Sequence, residues 1–150
     1  MTTFASLAEL TAAVGTELGT SQWHTIDQHR VDLFAEATGD HQWIHVDPER
    51  AAKGPFGRTI AHGYLTLSLL PVLVQGIYSV EGIQMAVNYG LNKVRFVTPV
   101  KVGSAVRAVL TLDAVTEVTG GLQLASTAVV QIEGLEKPAA VAETLTRLIL

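Results

Sequence analysis

Asp40 and His45 stand five residues apart in the segment Gly39-Asp40-His41-Gln42-Trp43-Ile44-His45. The segment follows a helical pattern and precedes several chain breakers, so we expect an irregular turn here. Such a turn can aim a carboxylate and an imidazole at one point, where they hold a water molecule. One group then accepts the proton of the water while the other orients it or passes a proton on. The pair indicates chemistry that adds or removes water; a turn aspartate without a catalytic role is the alternative.

The same segment offers metal ligands as a second interpretation. His41 and His45 could bind a metal ion together with Asp40. Pro48 and the breakers around it argue against a helix that presents both imidazoles on one face. We therefore expect no metal at this site.

A second polar segment, Ile60-Ala61-His62-Gly63, directly precedes a long apolar run. Gly63 would lie at the start of the following helix, where the backbone N–H groups are unpaired and the helix dipole is positive. Glycine lets a ligand approach the backbone, so the Gly63 amide could stabilise a developing oxyanion. A glycine that only starts the helix is the alternative, and His62 is either catalytic or part of the turn.

A third polar segment runs from Asn88 to Phe96. In a strand, Lys93 and Arg95 share one face and Asn88 and Asn92 the other. The basic pair could meet phosphates, although a solvated strand face is the usual outcome. Gly90 is typical of a bulge or a close backbone approach.

The elements that must position these residues follow from periodicity and breakers. Residues 4–15 predict a short helix, residues 21–26 a short strand, and Asp27 caps a second helix that ends at Gly39. Residues 40–60 predict a long loop. Apolar residues on nearly every side of Gly63 to Tyr78 predict a buried helix with a kink at Pro71. Long strands joined by short turns predict an antiparallel meander, over residues 84–99, 102–117, 122–132 and 141–150. The fold class is α+β, with the helix packed on one sheet face.

The composition of the chain argues against several classes of partner. The 150 residues suit one domain, 1–150, and are 48% hydrophobic but only 16% charged. The net charge is −4 with no basic run, which argues against nucleic acid as a partner. No cysteine is present, and neither a signal peptide nor a membrane span is evident, so we expect a cytoplasmic protein without a membrane partner. The low charge suggests that a second subunit covers apolar surface.

Three segments in order, residues 34–45, Ile60-Ala61-His62-Gly63 and Val94-Arg95-Phe96-Val97-Thr98-Pro99-Val100, resemble the MaoC-like, or hydratase 2, family. The resemblance is strongest to bacterial single-domain (R)-specific enoyl-CoA hydratases. It implies a hot-dog fold, in which a curled sheet wraps a central helix, and a homodimer or dimer of dimers. It also implies reversible hydration of trans-2-enoyl-CoA to (R)-3-hydroxyacyl-CoA, with acyl-CoA as substrate and no cofactor.

The resemblance assigns roles by position. Asp40 and His45 become the catalytic pair, and Gly63 supplies the oxyanion amide. We expect the substrate to be contacted further by a set of neighbouring and strand residues: Ile60, Ala61, His62, Gln42, Asn88 and Arg95. The family commonly has Asn-Pro where this chain has Gln42-Trp43, so Gln42 would brace the pair or line the acyl pocket.

Two other functions remain open for such a sequence. A hot-dog acyl-CoA thioesterase uses a single carboxylate and a water, and a non-catalytic subunit would stabilise a catalytic partner. The His45 partner and the Ala61-His62-Gly63 segment favour hydration over hydrolysis, and the intact Asp40/His45 pair argues against a purely supporting role.

Overall fold

The computed structural model describes residues 1–150 and contains eight strands and six helices. The strands are β1 (Thr2–Phe4), β2 (Glu17–Thr20), β3 (His24–Thr25), β4 (Tyr78–Val80), β5 (Met85–Phe96), β6 (Ala105–Val118), β7 (Gly121–Ile132) and β8 (Ala140–Ile149). The helices are α1 (Leu7–Ala12), α2 (Gln28–Thr38), α3 (Trp43–Val46), α4 (Pro48–Ala52), α5 (Gly63–Ser68) and α6 (Leu70–Gln75).

The long strands form one antiparallel sheet in the order β2-β6-β7-β8-β5, and β3 also pairs with β6. The predicted meander is confirmed for β6, β7 and β8. It is wrong for β5, which pairs with β8 instead of β6. A hairpin loop spans about two to five residues. Residues 97–104 form a longer connection, which carries the chain from β5 at one edge of the sheet to β6 near the opposite edge.

Side chains alternate between the two faces of this sheet, as the strand period of two requires. On β7 every second residue from Leu122 to Ile132 is buried, and the neighbouring strands contribute Val106, Leu110, Leu112 and Leu148. The helices α5 and α6 pack Leu65, Leu70 and Leu73 against this buried face. The core therefore lies between the concave side of the sheet and the two central helices.

The predicted helix from Gly63 to Tyr78 is broken. It splits into α5 and α6 at Leu69, and Pro71 lies in the first turn of α6, where its missing N–H costs least. It is also not buried on all sides, because Tyr64 and Val72 are exposed. Tyr64 lies against Phe96 of β5, with ring centroids 5.9 Å apart, and remains exposed there.

Smaller differences concern the first half of the chain. Residues 2–4 form β1, which pairs in parallel with β4, so the first helix begins only at Leu7. The strand expected over residues 21–26 is reduced to β3, and the expected loop over residues 40–60 contains α3 and α4.

The boundaries of α2 are confirmed. The Asp27 side chain accepts a hydrogen bond from the Arg30 N–H at its start, and Gly39 ends it with φ 81°. None of the helices has the length and hydropathy needed to span a membrane.

Candidate active site

His45 lies in the single turn of α3 and is buried, with 7% of its surface exposed. Its Nδ1 is 2.7 Å from the Ile60 carbonyl oxygen. A carbonyl only accepts hydrogen bonds, so Nδ1 carries the proton and donates. The neutral ring therefore presents Nε2 as a free base.

Burial keeps His45 neutral. Removal from water is the largest effect and lowers the pKa of His45 below its ordinary value of 6.5, and the neighbouring His62 lowers it further. The Ile60 carbonyl and the Asp40 carboxylate act in the opposite direction but do not cancel the effect. The ring is thus available to accept a proton around neutral pH.

Gln28, in the first turn of α2, holds the backbone of His45 in place. Its Nε2 donates to the His45 carbonyl over 2.7 Å, and its Oε1 accepts from the buried Thr59 hydroxyl over 2.6 Å. Sequence reasoning missed Gln28, because a glutamine near the start of a helix carries no signal of a contact to residues 45 and 59.

Asp40 follows Gly39 at the end of α2 and remains half exposed at its side chain. Its carboxylate accepts from the Gln42 N–H over 3.3 Å. One side-chain oxygen or nitrogen from each of Asp40, His45 and His62 lies within 4.8 Å of the others. The fold therefore brings the Asp40 carboxylate and the His45 imidazole together, as their spacing in the sequence predicts, and they are close enough to share one water molecule.

His62 belongs to the same cluster and is not only part of a turn. Its ring is 2% exposed and lies between His45, with centroids 3.9 Å apart and nearly parallel, and Phe34, at 4.9 Å. Nε2 donates to the Asp40 carbonyl over 2.9 Å, and Nδ1 is buried without a partner. Because Nδ1 of His45 and Nε2 of His62 both face carbonyl oxygens, these two nitrogens are donors and not metal ligands in this arrangement.

Beside this cluster is a cavity of about 210 Å³. It is lined by His45, Ile60, Ala61, Gly63, Thr66, Phe96, Thr98, Pro99, Val100 and Ala139. Gly63 is the first residue of α5, so its amide has no acceptor within the helix. A Cβ at Gly63 would lie 3.0 Å from the Phe96 ring, so a side chain there would displace Phe96. Phe96 and Thr66 were not anticipated, since neither type stands out in a strand or an apolar helix.

Three residues expected to contact the substrate, Gln42, Asn88 and Arg95, do not line the His45 cavity. The Gln42 backbone contacts Asp40, but its side chain makes no hydrogen bond. Asn88 faces a hollow beside Pro71 instead of the His45 cavity. Lys93 and Arg95 do share a face, but it is the outer one, beside Glu143.

Arg95 lies apart from His45 because strand alternation places it on the opposite face of the sheet from Phe96. Two register shifts in β5, between Asn88 and Gly90 and between Leu91 and Lys93, together leave this alternation unchanged. The shift beside Gly90 confirms the bulge expected there. The shift between Leu91 and Lys93 leaves Asn92 without a paired residue on β8. Phe96 then faces inward toward Gly63, and Arg95 faces outward.

An antiparallel sheet that packs around two central helices is the hot-dog fold, and the match to the MaoC-like domain family places the chain among hydratases and dehydratases. The (R)-hydratase from A. caviae involved in PHA biosynthesis has this fold: its structure matches with a TM-score of 0.71 at 26% identity, covering 89% of this chain and 98% of that one. The chain belongs to the MaoC-like domain family, whose pattern matches residues 9–133.

Two curated relatives extend the comparison over nearly the whole chain. The 3-hydroxyacyl-thioester dehydratase Z of Mycobacterium tuberculosis (strain H37Rv) is 57% identical over 148 residues, which are 98% of each chain. Nodulation protein N of Rhizobium leguminosarum bv. viciae is 48% identical over 145 residues, covering 94% of this chain and 89% of that protein. Membership of this family supports the assignment of the chain as a hydro-lyase, an enzyme that adds or removes water.

We expect His62 to fix the Asp40 segment through its Nε2–H donor. His62→Phe keeps a ring against His45 but loses the donor, whereas His62→Gln keeps an amide donor and loses the ring. Loss of one such hydrogen bond should raise hydrogen exchange over residues 40–42 by roughly 2- to 10-fold in His62→Phe, with a smaller effect in His62→Gln. Exchange in β7 serves as the control, and equal exchange in the two variants would show that the donor is not what holds the segment.

Proposed function

We propose that the chain catalyses the reversible, (R)-specific hydration of trans-2-enoyl-CoA to (R)-3-hydroxyacyl-CoA. The observation that carries this proposal is the Asp40–His45–His62 cluster, in which a neutral His45 presents a free Nε2 beside an exposed carboxylate. The name of the mycobacterial relative, a 3-hydroxyacyl-thioester dehydratase, supports it, since dehydration is the reverse reaction.

Hydration on this site begins with a water molecule between Asp40 and His45. The thioester carbonyl withdraws electrons from the double bond, so C3 is electrophilic. His45 Nε2 takes a proton as the water oxygen bonds to C3, and Asp40 orients the water. The electron pair of the double bond moves toward the thioester oxygen, and a proton then returns to C2 from the same side. The elements of water are added, and His45 is neutral again.

The Gly63 amide is the group proposed to stabilise the enolate-like oxygen of this intermediate. It lines the same cavity as His45, and the absence of a side chain leaves its N–H approachable. An N–H that is already oriented costs no reorganisation when the negative charge develops. The mechanism uses only groups of the chain and needs no metal or cofactor step.

We further propose that the active form is a homodimer or dimer of dimers. β5 is a twelve-residue strand with one free edge, and its residues are almost all exposed. The exposed large hydrophobic residues concentrate on it and on the neighbouring helices: Met85, Val87, Tyr89, Leu91, Phe96, Tyr64 and Val72. A long exposed apolar edge strand favours pairing with a second copy, which would extend the sheet.

Substitution of the catalytic pair tests the reaction. Asp40→Asn and His45→Gln should each lower kcat for crotonyl-CoA hydration by about 10²–10⁴-fold, because each removes one proton-handling or water-orienting group. Loss of the enoyl-thioester absorbance measures the rate, and His29→Gln, at an exposed histidine of α2, is the control. Near-full rates in both variants, or release of free CoA thiol from saturated acyl-CoA without any hydration, would refute the assignment.

Light scattering tests the dimer. At micromolar concentration the wild-type chain should have a mass of at least twice 16.0 kDa. Val87→Lys places a charge on the β5 face of the proposed interface and should shift the mass toward that of the monomer. Leu135→Lys, at an exposed position in the turn before β8, should leave it unchanged. A wild-type monomer would contradict the proposal.

A further inference from the structure

The concave face of the sheet carries a group of polar side chains at one place. Most of its inward positions are hydrophobic, but Asn88, Ser126, Thr144 and Thr146 are polar. They are neighbours by register: Ser126 pairs with Thr144, and Asn88 pairs with Thr146. The four polar side chains therefore form one patch and are not scattered exceptions.

This patch is the floor of a cavity of about 230 Å³ between the sheet and α6. The opposite wall is apolar at Leu70, Pro71 and Val74 and polar at Gln75 and Tyr78. Burial raises the pKa of the Tyr78 phenol, which keeps it protonated and able to donate. Polar groups thus face the cavity from both sides.

Most of these polar groups have free hydrogen-bonding capacity. Within the protein, Thr144 donates to the Ser126 carbonyl over 3.3 Å. The side chains of Ser126, Thr146 and Asn88 make no hydrogen bond, although Ser126 is only 6% exposed. A saturated hydrocarbon in this cavity would displace water from these groups and leave them unpaired, which disfavours binding.

Three hollows follow α5 and α6 in turn. Gly63 and Thr66 line the His45 cavity, and Leu67 and Ser68 line a second hollow that shares Leu70, Pro71, Asn88 and Thr144 with the polar cavity. From Gly63, at the His45 cavity, to Leu70 the helical rise amounts to roughly 10 Å. An extended acyl chain whose thioester carbonyl rests at Gly63 can follow α5 and place its distal end in the polar cavity.

Resting on the proposed function, we propose that this cavity selects enoyl thioesters whose acyl chain carries a neutral oxygen group, a hydroxyl or a keto group, near its distal end. No lysine, arginine or histidine lines the cavity, so a distal carboxylate would enter without a counter-charge. Hydroxyls and amides, in contrast, can donate to or accept from a neutral oxygen. The family resemblance implies an acyl-CoA substrate, and the polarity of this cavity specifies the kind of acyl chain.

The test compares kcat/KM for trans-2-decenoyl-CoA with that for its analogues bearing a hydroxyl at carbon 8, 9 or 10 or a keto group at carbon 8 or 9. We expect at least one oxygenated analogue to be preferred by about 10-fold or more, because a site built to hydrogen-bond an oxygen rejects the analogue that lacks it. Thr146→Val and Ser126→Ala should each erase most of that preference. Thr127→Val, on the outer face of β7, is the matched control and should keep it.

Crotonyl-CoA separates the two proposals, since its short chain does not reach the cavity. It should be hydrated equally by the wild type and Thr127→Val, and matching far-ultraviolet circular dichroism spectra should show that Thr146→Val and Ser126→Ala fold. Hydration of crotonyl-CoA with no preference among the longer substrates would overturn the polar-chain inference and leave the proposed function intact. Failure of the wild type to hydrate crotonyl-CoA and every longer substrate would overturn both.

Discussion

The hydrogen bond from His45 Nδ1 to the Ile60 carbonyl is the interaction on which the site depends. It joins α3 to the segment that leads into α5, and it decides which nitrogen of the ring is basic. Gln28 supports the same geometry from α2 by holding the His45 carbonyl. His62, one residue before Gly63, stacks on the His45 ring and donates to the Asp40 carbonyl. A few contacts between loop segments therefore align the carboxylate, the imidazole and the helix-start amide.

The fold makes this local arrangement possible and also leaves it open on one side. The concave sheet buries α5 and α6 through Leu65, Leu70 and Leu73, which fixes where Gly63 lies. β5 ends the sheet and brings the Phe96 ring against Gly63. The same strand exposes a row of apolar residues. The high hydrophobic and low charged content of the chain is thus divided between its core and a surface beside the site, where we propose that a second copy binds.

The proposed catalytic pair, Asp40 and His45, could be singled out from sequence, because the two residues follow a helix end at Gly39 with a short spacing. The caps at Asp27 and Gly39 and the strands β6, β7 and β8 were predictable from local patterns. The position of β5 and the exposed face of α5 were not, since they depend on a strand order that no local pattern records. The hydrogen bonds of Gln28 likewise join residues far apart in the chain, and only tertiary structure brings them together.

The central claim is that His45 is a neutral base with its proton on Nδ1. Nitrogen-15 NMR of the imidazole rings tests it most directly, with the His45 signals assigned by their loss in His45→Gln. The account predicts the Nδ1–H tautomer at neutral pH and a titration midpoint below the ordinary value of 6.5, because burial disfavours the charged ring. An Nε2–H tautomer, or an imidazolium that persists at neutral pH, would contradict it.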